Sequence, residues 1–167
     1  MKKIYLAGGC FWGVEHYFSL IKGIINTRVG YANSNIINPS YEDVCRGLSN
    51  ASETVEVKYD ESLIDLKTIL NYYLEIIDPT SLNKQGNDIG IQYRTGIYYI
   101  DNRDIKIIEE FINDLKIKYS KDIMIEVMAL ENFYEAEEYH QDYLYKNPNG
   151  YCHIPKFKFD EIKNKEY

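Results

Sequence analysis

The sequence predicts one domain of intermingled strands and helices that ends in an irregular C-terminal tail. Three observations predict it. Strand and helix signals alternate along the chain, with no linker, repeat or low-complexity stretch between them. Glu53 to Tyr59 alternates strictly, with Glu53, Val55, Val57 and Tyr59 on one face and Thr54, Glu56 and Lys58 on the other, as in a half-buried strand. The 167 residues fit one domain, residues 1–167, and are enough for a sizeable core.

In chain order, Ile4-Tyr5-Leu6-Ala7 is a short apolar run that reads as a buried strand. Val14, Phe18 and Ile21 follow at helical spacing, so Cys10 sits where the strand turns into the first turn of a helix. Unpaired backbone N–H groups and the positive end of the helix dipole gather there. Both favour the thiolate, which is the reactive form of cysteine. Gly8 and Gly9 permit a sharp turn and leave the sulfur uncovered. Phe11 and Trp12, the chain's one Trp, suggest a small apolar group held against a nucleophile. A buried, inert thiol at a tight turn explains the same residues as well.

Lys22-Gly23 ends this helix, and Ile24 to Tyr31 reads as a second strand. Asn33 to Ser40 is a polar loop, and Tyr41 to Gly47 a short helical stretch or compact loop in which Cys45 packs. Glu53 is in phase with the apolar face of its strand. A desolvated carboxyl there would have a raised pKa and could serve as a general acid; a frayed strand end that bends outwards is the other reading. Leu66, Ile69, Leu70, Tyr73, Leu74 and Ile77 follow an amphipathic helix rule, with Asp65 as its cap and Asp78-Pro79-Thr80 as its stop. Ser81 to Gln92 is a long polar connection of the kind that often carries function, or an ordinary surface turn. Ile97 to Ile100 reads as a strand, Ile105 to Tyr119 as a helix, Ile123 to Val127 as a strand, and Ala136, His140, Tyr143 and Leu144 as a last helix with a solvated acidic side. The tail Asn147-Pro148-Asn149-Gly150-Tyr151-Cys152 is rich in turn residues and places Cys152 on a movable segment. A resolving thiol needs such a segment, since a disulfide brings two Cα atoms to about 4.4–6.8 Å; a stray surface Cys fits equally.

Lys and Arg number 19 against 26 Asp and Glu, a net charge of −7, which argues against a nucleic-acid partner. No apolar run approaches the roughly 20 residues of a membrane span. Met1-Lys2-Lys3-Ile4 leads directly into a strand without a signal-peptide core, so a cytoplasmic location is expected. The three Cys are then expected to be reduced or redox-active rather than structural staples. There is no Cys-x-x-Cys for a zinc site, no phosphate loop and no Gly-x-Ser-x-Gly. Glu137 and His140 offer a single Glu-x-x-His, which di-iron bundles use twice.

Gly9-Cys10-Phe11-Trp12-Gly13-Val14-Glu15 resembles the signature of the peptide methionine sulfoxide reductase A family. The likeness continues through Gly30-Tyr31-Ala32, the block from Asn38 to Cys45, Glu53 to Asp60, Asp78-Pro79-Thr80, the block from Gln85 to Arg94, the block from Phe133 to Leu144, and Asn147 to Cys152. The resemblance implies a fold of the α+β class, a two-layer sandwich in which helices cover a mixed β-sheet. It implies reduction of the S epimer of methionine sulfoxide, free or in proteins, with no metal or organic cofactor. Cys10 would attack the sulfoxide sulfur and become a sulfenic acid. Glu53 would protonate the sulfoxide oxygen, and Tyr41 and Tyr93 would hydrogen-bond it. Phe11 and Trp12 would hold the substrate methyl group, and Asp88 would orient the substrate. Cys152 would close a Cys10–Cys152 disulfide for thioredoxin to reduce, in a monomer with no membrane or nucleic-acid partner. The sequence departs from the family at Ala51 and Ile77, where the family usually has His, and at Asn33-Ser34-Asn35, which replaces a Gly-Gly pair. A peroxide-reducing thiol protein would need Cys10 and Cys152 but not the aromatic pair or Glu53. A module that only binds oxidised methionine would need no disulfide.

Overall fold

The computed structural model describes residues 1–164. The chain forms strands β1 (Lys2–Gly8), β2 (Ile24–Ala32), β3 (Ser52–Tyr59), β4 (Lys84–Gln85), β5 (Asp88–Ile89), β6 (Thr95–Tyr99), β7 (Glu126–Ala129) and β8 (Phe133–Glu135). Its helices are α1 (Phe11–Ser19), α2 (Tyr41–Cys45), α3 (Leu66–Leu74), α4 (Ile105–Lys118), α5 (Tyr143–Lys146) and α6 (Lys156–Lys163). Six strands make one sheet in the order β7-β6-β1-β3-β2-β8. All pairs are antiparallel except β6 with β7, so the sheet is mixed, as expected.

Register explains the two faces. Ile4 lies opposite Val57, Leu6 opposite both Val55 and Ile97, and Tyr31 opposite Glu53. This face meets Phe11, Val14 and Phe18 of α1, Ile69 and Leu70 of α3, and Ile108 and Leu115 of α4 in one apolar core. Ile4, Leu6, Val55 and Val57 are fully buried, each burial stabilising the fold by about 1.5–3 kcal/mol. The first turn of α1 and the start of β3 therefore rest on a rigid platform. Asp65 caps α3, accepting a 2.8 Å bond from the Thr68 N–H, and Ser40 forms a capping box with Asp43 at α2.

Several elements differ from their sequence signals. β3 is buried on both faces rather than one. It is a central strand, and its polar face is closed over by Tyr5, Tyr98 and Phe133. Glu56 survives there because Arg28 (2.7 and 3.0 Å) and the Tyr5 hydroxyl (2.8 Å) bond its carboxylate. The strand expected at Ile123 to Val127 lies at β7, and β8 adds an edge strand that the pattern does not mark. The expected last helix is broken into a 3₁₀ turn, Glu138–His140, and the short α5. Asp142 between them takes a left-handed conformation (φ 52°). Gln141 turns inward and bonds the Val29 N–H (2.9 Å) and the carbonyls of Val29 and Ala136 (2.9 and 3.0 Å). Glu137 is not on a solvated side: it accepts bonds from the Tyr31 hydroxyl (2.9 Å) and the Tyr41 N–H (3.1 Å). The tail is irregular from 147 to 155 and then folds into α6, which the sequence reading did not foresee.

Candidate active site

Cys10 caps α1 with non-helical backbone (φ −57°, ψ 124°) and is 7% exposed. Gly9 before it has φ 90°, and a Cβ there would meet the Gln85 Cβ at 2.8 Å, so the approach to Cys10 needs glycine on two counts. Glu53, on the core side of β3 and 2% exposed, accepts a 3.2 Å bond from the Phe11 N–H of the same helix turn. Burial pushes its pKa up to about 8, partly offset by that bond and reinforced by the charge of Asp88. Glu53 is therefore protonated at neutral pH, and the frayed-end reading is excluded. The same burial acts on Cys10. Desolvation and then the Glu53 charge push its thiol well above the ordinary range, against a small lowering from the Trp12 N–H. This goes against the expectation that the helix terminus favours a thiolate and with the alternative of a buried thiol. With 7% exposure, the desolvation outweighs the dipole, and the resting sulfur carries its proton.

Aromatic rings wall the site. Phe11 is buried against Tyr31 (ring centroids 5.8 Å) and His140 (5.2 Å). Trp12 stacks on Tyr143 at 3.7 Å with 13° between the planes, and its indole N–H donates a 2.9 Å bond to His140 Nδ1. Tyr41, the first residue of α2, packs its ring on His140 at 4.7 Å. Its hydroxyl lies near the Cys45 thiol. Tyr93 ends a 3₁₀ turn, Ile91–Tyr93, and lies within electrostatic reach of Glu53, Cys10 and Asp88. Burial raises the pKa of both phenols, so each keeps its proton as a donor. Arg94 fixes that turn to the β3 entrance: it bonds the Ile91 carbonyl at 2.9 Å and the Asn50 carbonyl at 3.1 Å.

Asp88 sits on the β4–β5 hairpin, which Gln85 ties to the end of α3 through two bonds with the Asp78 backbone (2.8 and 2.9 Å). Asp88 faces His153 Nδ1 at 3.7 Å and lies near the Tyr151 hydroxyl. Cys152, half-buried, lies against the first turn of α1: a Cβ on Gly13 would come within 2.7 Å of its Sγ. Cys10, Cys45 and Cys152 are all free thiols. His153 pins the segment by approaching the Gly8 carbonyl at 3.1 Å. The structure thus brings together all eight sequence-derived residues: Cys10, Glu53, Tyr41, Tyr93, Cys152, Phe11, Trp12 and Asp88.

The sequence gives no functional part to His140, Tyr143, Glu137, Tyr151 or His153: the first three fall within the expected last helix, whose period does not carry the long-range contacts they make, and the other two lie on the irregular tail. The two positions that lack the family's His are filled by apolar packing. Ala51 is buried in the core, and Ile77 lies against Gly8, whose added Cβ would meet it at 2.9 Å.

The family model described as peptide methionine sulfoxide reductase matches residues 2–167. The chain is 58% identical over 163 residues to the peptide methionine sulfoxide reductase MsrA of Lachnoclostridium phytofermentans, covering 98% of each chain. It is similar to the reduced form of Mxr1 from Saccharomyces cerevisiae, with a TM-score of 0.85, 38% identity and coverage of 90% of this chain and 88% of that one. A structure of Mxr1 in complex with Trx2 matches with a TM-score of 0.61 and 26% identity, covering 85% and 84%.

Proposed function

The chain belongs to the peptide methionine sulfoxide reductase family, and from that premise we propose how its own residues reduce the sulfoxide. The reaction is thiol-dependent reduction of methionine sulfoxide to methionine, with thioredoxin recycling the enzyme. The observation that carries the assignment of roles is the buried Glu53 carboxyl, protonated at neutral pH and bonded to the helix turn that begins at Cys10.

Phe11 and Trp12 hold the methyl group, Asp88 orients the rest of the substrate, and the Tyr41 and Tyr93 hydroxyls donate to the sulfoxide oxygen. The Cys10 thiol gives up its proton as its sulfur attacks the sulfoxide sulfur, Glu53 gives its proton to the oxygen, and the proton lost by Cys10 replaces the one that Glu53 gives. That oxygen passes to Cys10 as a sulfenic acid, and methionine leaves. The Cys152 thiol then attacks the sulfenic sulfur, water departs and a Cys10–Cys152 disulfide forms. Thioredoxin's dithiol reduces this disulfide and is itself oxidised. The S epimer is the substrate that the resemblance to the family implies. The cycle draws its electrons from protein thiols and uses no resident metal or organic cofactor.

Among the described residues no helix is long and apolar enough to cross a membrane. The net charge of −7 fits a protein partner and not a nucleic acid. A cytoplasmic monomer is our reading. A coupled assay with thioredoxin, its reductase and NADPH tests the function. NADPH consumption is expected with the S epimer, not with the R epimer, and not with Cys10→Ser; consumption by that variant would remove Cys10 from the chemistry.

A further inference from the structure

Glu15 is a buried titratable group that the cycle above leaves unused. It lies on α1 and is 2% exposed. Its Oε1 accepts a 2.6 Å bond from the Asp142 N–H, and its Oε2 is buried with no hydrogen-bond partner among the described residues. Asp142 has the left-handed backbone (φ 52°, ψ 36°) that starts α5, a region uncommon for residues other than glycine and visited by Asp more than by most. The next residue, Tyr143, lies flat on Trp12 at 3.7 Å. Trp12 and Glu15 are three residues apart on α1 and so share a face. Both line, with Asp142 and Tyr143, a cavity of about 370 Å³. The helix that carries Cys10 thus grips one turn of the 140s segment twice, through its backbone and through its ring.

We propose that Glu15 is a positioning residue for the sulfoxide pocket: by holding the Asp142 N–H it fixes the turn that lays Tyr143 on Trp12, and so sets the wall for the substrate methyl group. The inference rests on the reading of Trp12 as that wall. An ionised carboxylate accepts an N–H bond more strongly than a neutral acid, so the grip tightens as Glu15 loses its proton. Burial pushes its pKa up to about 7. The other charged or titratable groups around it are Asp142 and Lys146 at α5, His16 on α1 and His140 beside Trp12. Burial lowers both histidines, so they gain charge only at more acidic pH than usual.

Trp12 is the chain's sole Trp, so its fluorescence reports this contact directly. Glu15→Ala is expected to red-shift and mobilise the Trp12 emission and to raise KM for the S-sulfoxide about five- to tenfold, with kcat within about twofold. Glu15→Gln keeps an acceptor for the Asp142 N–H and should restore both. Tyr143→Leu should raise KM likewise, and the double variant with Glu15→Ala should be no worse than either alone. Unchanged emission and KM in a folded Glu15→Ala protein, or additive effects in the double variant, would overturn the proposal. Should Glu15→Ala fail to fold, the pH titration of Trp12 emission decides. A transition near pH 7 is expected in the wild type and absent in Glu15→Gln; identical curves would overturn the proposal. Trp12→Ala separates the two claims. A raised KM there with an inert Glu15→Ala sinks the positioning role alone, and an unchanged KM sinks the wall and the positioning role together.

Discussion

At the residue scale, the charge that most opposes a Cys10 thiolate is the Glu53 carboxylate. A thiolate beside a protonated Glu53 has lost one proton in total, as has a thiol beside an ionised Glu53. The two forms share one macroscopic titration, which belongs to the pair. The reactive form is the first of them, in which Glu53 has a proton to give. Glu53→Gln keeps the shape and the bond from the Phe11 N–H but removes that proton. The single-turnover rate should fall by about 10²- to 10⁴-fold, the usual worth of a general acid. The Cys10 thiolate, followed by its ultraviolet absorbance, should appear at lower pH than in the wild type. An undiminished rate would show that another group protonates the oxygen. At the Ala51 and Ile77 positions the side chains present are apolar packing.

At the scale of elements, α1 is the organiser: it presents Cys10 and Phe11 to Glu53, Trp12 to Tyr143, and Gly13 to Cys152. Gly13→Ala tests the last of these. Its methyl group would meet the Cys152 Sγ at 2.7 Å and Ile154 Cδ1 at 3.1 Å, so the tail must shift. Rapid-quench kinetics should show the first product forming at an undiminished rate and the Cys10–Cys152 disulfide forming several-fold more slowly; equal disulfide rates would mean that Cys152 does not react from this position. Elements with a clear period were legible in the sequence, whereas the short strands β4, β5 and β8 and the helix α6 were not. The alternation from Glu53 to Tyr59 placed the acid on the core face, and the 3.6-residue spacing after Cys10 placed the thiol at a helix start. Legibility stopped where backbone is irregular. Glu137, His140 and Gln141 read as parts of one helix, but the inward bonds of Gln141 and the left-handed Asp142 break it. No local pattern carries those long-range bonds. The buried polar face of β3 was equally hidden, since Glu56 looks solvated until Arg28 and Tyr5 are seen to satisfy it.

At the scale of the whole molecule, two buried carboxyls tie stability to pH. Burial pushes Glu53 to about 8 and Glu15 to about 7, whereas both would ionise near 4.3 in the unfolded chain. Between these values the native state holds protons that the unfolded state has lost. Their contribution is complete below about pH 4.3 and is lost as pH rises through 7 and 8. The melting temperature should fall between about pH 5.5 and about pH 8.5, and Glu53→Gln should flatten the decline; a flat wild-type curve would mean that the carboxyls ionise normally. The central claim is that Cys10 takes the oxygen and Cys152 resolves it, and mass spectrometry tests it most directly. The reduced protein is given one equivalent of an S-methionine sulfoxide compound without thioredoxin. The account predicts methionine product and a loss of two hydrogens that maps to a Cys10–Cys152 bond, with Cys152→Ser still yielding one equivalent of product. Product without that bond would contradict the resolving role, and no product would contradict the reductase chemistry of Cys10 itself.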